Sequence, residues 1–133
     1  MRMRKITKEM LKIYKPISNL DWLNYTIVRK EDMTYHHIIK KSDGGKLTIE
    51  NGALLLPISH QYLHLIEFID LDTYVFINKM FTIINKQQYE PTKEQRDILE
   101  YILTDFENKN RWKKGSNGKV LIKYQYLKRG WYN

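Results

Sequence analysis

Residues 36–64 read HHIIKKSDGGKLTIENGALLLPISHQYLH, and they hold every histidine of the chain. Two imidazoles are adjacent, at His36 and His37, and two are spaced by four, at His60 and His64. The local period changes along this stretch. Residues 34–40 (TYHHIIK) are β-branched and aromatic and read as a strand. Asp43-Gly44-Gly45 is a turn signal, and short β-prone or apolar pieces follow at 46–49 and 52–56, around Asn51-Gly52. Pro57 suits the first position of a helix, where its missing N–H is harmless, and a helix is expected over 57–69. At about 100° per residue, His60, His64 and Glu67 share one side of that helix. Ile58, Tyr62, Leu63, Leu65, Ile66 and Ile69 fall on the other. The expected unit is a hairpin followed by a helix that buries its apolar face and presents two imidazoles on the far side.

Three imidazoles can form one side of a divalent metal site and leave positions for water or phosphate. His60 and His64 supply two, and either His36 or His37 supplies the third from the strand. Adjacent strand residues point to opposite faces, so one of that pair is free for another task. A neutral imidazole near a metal and a phosphate suits a general base, because its ordinary pKa lies near neutrality. Asn51 can orient that imidazole, and Lys40, Lys41 and Lys46 can contact flanking phosphates. Taken singly these residues say little. A lone strand histidine is more often structural, Asn51-Gly52 is more often only a turn, and Gly44-Gly45 lacks the spacing of a phosphate-binding loop. Glu67 is more readily a solvated helix residue than a support for the helical histidines. The His/Asn set gains weight because one geometry explains five positions together.

The pattern HHII-x-K-S-x-GG-(x)5-N-(x)8-H-(x)3-H resembles the HNH, or ββα-metal (His-Me finger), endonuclease motif. The paired histidines and the closing H-x-x-x-H are most similar to the nuclease domains of DNase colicins. The resemblance implies that His36 binds a divalent ion together with His60 and His64. It implies that His37 is the general base and that Asn51 orients it. The expected fold is α+β, a ββα-metal core at about residues 33–69 with flanking helices and a basic C-terminal segment, in a single domain spanning residues 1–133. Two departures from the family stand out. Many members carry a structural zinc on Cys-x-x-Cys pairs, whereas this chain has no cysteine and places Leu56-Pro57-Ile58-Ser59 there. Many have Asp where His36 stands, and a histidine shifts preference toward Zn, Ni or Mn over Mg.

Outside the motif, residues 7–14 suggest a short helix with Thr7 as its N-cap, and Pro16 should stop it. Residues 24–29 (NYTIVR) read as a strand and 73–86 as a helix. Thr92 with Gln95 resembles a capping box opening a helix to about Asn108, with Ile98, Leu99, Ile102 and Phe106 buried. Residues 119–127 (KVLIKYQYL) read as a last strand.

The net charge of +8 is uneven. Residues 111–133 carry seven basic groups and no acid, interleaved with Trp112, Tyr124, Tyr126, Trp131 and Tyr132. That mixture suits a polyanion whose bases can stack on rings, and Arg111, Lys113 and Lys114 are candidate phosphate contacts. The expected partner is nucleic acid, DNA in preference to RNA. No apolar run approaches the roughly 20 residues that span a bilayer, so no membrane partner is expected. The basic N-terminus is not read as a secretory signal, and a cytoplasmic location is expected.

The expected activity is hydrolysis of phosphodiester bonds by one divalent ion (Zn, Ni, Mn or Mg) and a histidine base, giving 5′-phosphate and 3′-hydroxyl ends. The alternatives are a non-catalytic metal-containing nucleic-acid-binding module, or a nuclease subunit active only in a larger assembly. Sequence preference, nicking against double-strand cleavage, and oligomeric state are left open by the residues.

Overall fold

A computed structural model describes residues 3–110. Along the chain come α1 (Lys5–Ile13), β1 (Thr34–His37), β2 (Gly52–Leu55), α2 (Pro57–Ile69), α3 (Leu71–Gln87) and α4 (Lys93–Asn110). The strands pair antiparallel, with Thr34 opposite Leu55, His36 opposite Ala53 and His37 opposite Gly52. This is an α+β fold whose centre is a two-stranded hairpin followed directly by α2.

The starts of α2, α3 and α4 each have an identifiable cause. Pro57 occupies the first turn of α2, which has no side-chain cap of its own. A carboxylate from far upstream takes that role. Asp21 accepts from Leu56 N at 2.9 Å and from the Ser59 hydroxyl. Asp70 then separates α2 from α3 and caps α3, accepting from Thr73 N at 3.2 Å and Thr73 Oγ1 at 2.7 Å. The capping box opening α4 is present: Thr92 N donates to Gln95 Oε1 at 2.9 Å, and Gln95 N donates to Thr92 Oγ1 at 3.2 Å. The core wraps the hairpin, with Trp22, Leu54, Tyr62, Leu63, Phe81 and Phe106 all essentially inaccessible. No described helix is long and apolar enough to cross a membrane.

Several local expectations need correction. Residues 24–29 form no strand; the only pairing there is an isolated bridge between Leu20 and Thr26. The Asp21 carboxylate explains this, because it accepts from Leu23 N and Tyr25 N at 2.9 Å and so curls the segment around itself. Asn19 and Asn24 take positive φ (61° and 67°) to complete the turn. Tyr25 and Ile27 are still buried in alternation, which is why the stretch looks strand-like in sequence. Thr7 is not a cap; it is buried within α1, which starts two residues earlier. Ile49–Asn51 form a single 3-10 turn rather than extended chain. On α4, Leu103 is buried in place of Ile98, which is 44% exposed. The expected strand at 119–127 lies outside the described residues.

Candidate metal and catalytic centre

Strand alternation decides which of the paired histidines faces inward. His36 points into the protein and is 3% exposed, whereas His37, on the opposite face, packs edge-on against Tyr35 with ring centroids 4.9 Å apart. From the next element, His60 brings its ring to 5.2 Å from that of His36. The closest approach is His36 Nδ1 to His60 Nε2, at 3.4 Å.

The protons on these two rings are fixed by their outer neighbours. Asn78 of α3 donates its amide nitrogen to the Tyr74 carbonyl at 3.2 Å, so its Oδ1 faces His36 Nε2, at 2.8 Å. An amide oxygen only accepts, so Nε2 of His36 carries the proton and Nδ1 the lone pair. Thr34 donates its single hydroxyl proton to the Leu55 carbonyl at 2.6 Å. Its oxygen can then only accept from His60 Nδ1, at 3.1 Å. The lone pair of His60 is therefore on Nε2. Two lone pairs thus face one another across 3.4 Å.

Burial first, and then the charge of neighbouring imidazoles, pushes both rings down to about 4, with the Asn78 carbonyl opposing this for His36. Near neutral pH no shared proton fills the gap. A cation fits it. Zn–N bonds of about 2.0–2.1 Å in tetrahedral geometry place neighbouring nitrogens about 3.3–3.4 Å apart. The donor set suits a borderline divalent ion.

His64 does not converge with the other two rings. It lies parallel to His60, with centroids 5.3 Å apart and planes at 11°, and its side chain is exposed with Nδ1 3.7 Å from Glu67 Oε1. Among the described residues no group of three or more His, Cys, Asp or Glu side chains is arranged to hold a metal.

His37 and His60 line a common cleft of about 470 Å³ with Arg4, Thr34, Tyr35 and Pro57, and Glu31 and Asp32 lie on its rim. Burial, and after it the charges of Arg4 and Lys41, lower the His37 pKa from its ordinary value. A neutral ring in an open cleft that also holds Arg4 can accept a proton from water beside a phosphate.

Asn51 acts on the main chain and not on the imidazole. Its Oδ1 accepts from Ile39 N at 2.8 Å, and its Nδ2 donates to the carbonyls of Ile39 and Lys46, both at 3.0 Å. Its own carbonyl accepts from Ile38 N at 2.9 Å. It therefore ties both sides of the loop to the end of the strand that carries His37. Lys40 is paired with Glu67 and lies over the Tyr74 ring at 5.6 Å, while Lys41 and Lys46 are exposed. Arg111, Lys113 and Lys114 lie outside the described residues.

Sequence reasoning missed Thr34, Asn78, Asp21 and Arg4. A signal existed for one of them. Asn78 and Asn85 sit two turns apart on α3 among largely apolar residues, and both turn toward the hairpin. Asn85 Nδ2 donates to the carbonyls of Ile49 and Gly52 at 2.7 and 2.8 Å.

Residues 24–64 match the family model of HNH endonucleases. The match takes in the hairpin and the first half of α2 and leaves α1, α3 and α4 outside. It supports the HNH reading, a family that generally comprises metal-dependent endonucleases acting on nucleic acid. No curated protein and no solved structure matches significantly.

Proposed function

We propose that this protein is a metal-dependent endonuclease that hydrolyses phosphodiester bonds in DNA, with a centre of the DNase-colicin type. The observation that carries the reading is the facing pair of imidazole lone pairs on His36 and His60, 3.4 Å apart, with neutral His37 sharing a cleft with His60. His36 and His60 would hold the ion, and the exposed His64, one turn along α2, would be the third imidazole only after turning out of its stack on His60. When bound, a divalent ion such as Zn, Ni, Mn or Mg supplies Lewis-acid stabilisation of charge developing on the phosphate.

The chain's own residues do the remaining work. His37 takes a proton from water, the resulting hydroxide attacks phosphorus in line, the bond from phosphorus to the 3′ oxygen breaks, and the leaving 3′ oxygen takes a proton from solvent, giving 5′-phosphate and 3′-hydroxyl ends. Burial, and after it the charges of Arg4 and Lys41, keeps His37 neutral, and the two cations favour an approaching phosphate. Asn51 fixes the main chain directly after His37 through Ile39. Lys46 contacts the nucleic-acid backbone, Lys40 does so by leaving Glu67, and Arg111, Lys113 and Lys114 add phosphate contacts on the strength of the sequence alone. The stacked orientation of His64 favours one second reading, a nucleic-acid-binding module that does not cleave.

Supercoiled plasmid incubated with the protein and Mg, Mn, Ni or Zn should be nicked, and EDTA should stop it. His37→Ala should lower the rate by about 10²–10⁴-fold and leave ion affinity, measured by calorimetry, nearly unchanged. Nicking by His37→Ala at the wild-type rate would remove the base from the mechanism. Ion-dependent DNA binding with no cleavage under any of the four metals would favour the module.

A further inference from the structure

The geometry points to Asn78 and Thr34 as positioning residues that fix the ring tautomers of His36 and His60, so that both lone pairs are presented to one cation. This rests on the reading of the two imidazoles as metal ligands. Neither residue belongs to the histidine and asparagine pattern, and Asn78 lies beyond the matched segment, on α3.

Each assignment follows from one forced hydrogen bond. The Asn78 amide is oriented by its nitrogen, which donates to the Tyr74 carbonyl at 3.2 Å. Its oxygen thus accepts from His36 Nε2 at 2.8 Å, inside the protein, where Asn78 is 8% exposed and His36 3%. The Thr34 hydroxyl cannot donate to His60, because its proton lies in the 2.6 Å contact with the Leu55 carbonyl. The Thr34 oxygen must then accept from His60 Nδ1 at 3.1 Å, because two bare acceptors would repel one another there. Thr34 is opposite Leu55 in the hairpin register, so β pairing itself sets the direction of this bond. Free imidazole strongly prefers neither arrangement, and the wrong tautomer at either ring would aim an N–H at the metal position. An outer carbonyl or hydroxyl oxygen that receives the second N–H orients a ligand histidine and strengthens it as a donor.

Two measurements test this. In metal-free protein at neutral pH, long-range 1H–15N spectra should show His36 protonated on Nε2 and His60 on Nδ1. The opposite tautomer at either ring in the wild type overturns that assignment with no metal involved. Calorimetric titration with Zn and with Ni should show affinity about 10–100-fold weaker for Asn78→Leu and for Thr34→Val. Asn78→Asp and Thr34→Ser keep an acceptor at each position and should restore affinity to near the wild-type value. A purely steric role would leave these rescues without effect, and wild-type affinity in Asn78→Leu and Thr34→Val overturns the proposal. Thr34→Val is nearly isosteric and serves if Asn78→Leu does not fold. Tautomers as assigned, with no ion bound by the wild type, would support the positioning role and refute the metal reading of the centre.

Discussion

His37 sits at the mouth of a cleft where burial, and after it the charges of Arg4 and Lys41, lower its pKa from 6.5. A general base works when neutral, so kcat/KM should rise with pH through the His37 pKa and then level off. The lowered pKa moves that acid limb below 6.5. Arg4→Ala and Lys41→Ala each remove a cation that disfavours imidazolium, so each should move the limb upward, toward the ordinary value. Plasmid nicking measured across pH checks this, and a limb that stays in place in both variants would mean the titrating group is not His37. The four histidines were legible in the sequence because imidazole is scarce in this chain and its chemistry is specific. Thr34 and Asn78 were not, because a threonine in a strand or an asparagine in a helix has many ordinary uses. Their role appears only once Leu55, Tyr74 and the two rings are in place.

The loop between the strands shows how one glycine can be needed for space and its neighbour for conformation. Gly44 takes φ 88° with nothing within 4 Å of a would-be Cβ. A Cβ on Gly45 would instead run into the Ile39 carbonyl oxygen and lie 2.9 Å from Asn51 Nδ2, inside the network that ties the loop. Gly45→Ala should therefore push Ile39 and Asn51 apart, costing about 1–3 kcal/mol in urea unfolding. It should also lower nicking by about 10²-fold, because the strand end carrying His37 loses its tether. Gly44→Asn, at a position where asparagine tolerates a left-handed backbone, should change both far less. Equal effects at the two glycines would refute this division of labour. The helix at 57–69 was readable to the residue, because Pro57 and an apolar stripe mark it. The expected strand at 24–29 was not, because the partner that bends it is a single carboxylate at Asp21, and sequence gives no sign of which amides a buried acid will collect.

Across the whole molecule, charge and connectivity follow different logics. Seven uncompensated basic groups lie beyond Asn110, so the C-terminal charge is a matter of sequence. Every phosphate that a cation neutralises on duplex DNA steepens the dependence of log affinity on log salt by about 0.9. Replacing Arg111, Lys113 and Lys114 together by Gln should therefore flatten that slope by up to about 2.7, measured by anisotropy in a His37→Ala background that cannot cut. An unchanged slope would exclude this cluster from binding the DNA backbone. The connectivity was hidden in the sequence, because it runs between residues far apart in the chain. Arg96 on α4 donates to the Asp21 carbonyl at 2.8 Å and pairs with Glu90 at 3.0 Å, and Tyr14 donates to the Asn85 carbonyl at 2.7 Å.

Asp21 and Asn78 stand on either side of the segment that matches the family. One carboxylate anchors the start of the histidine-bearing helix from upstream, and one amide sets a ligand ring from downstream. Anyone grafting this chemistry into a foreign scaffold would have to carry both brackets along. A transplant cut at the edges of the recognisable pattern would keep all four imidazoles and lose both the anchor of α2 and the amide that tells the His36 ring which way to face.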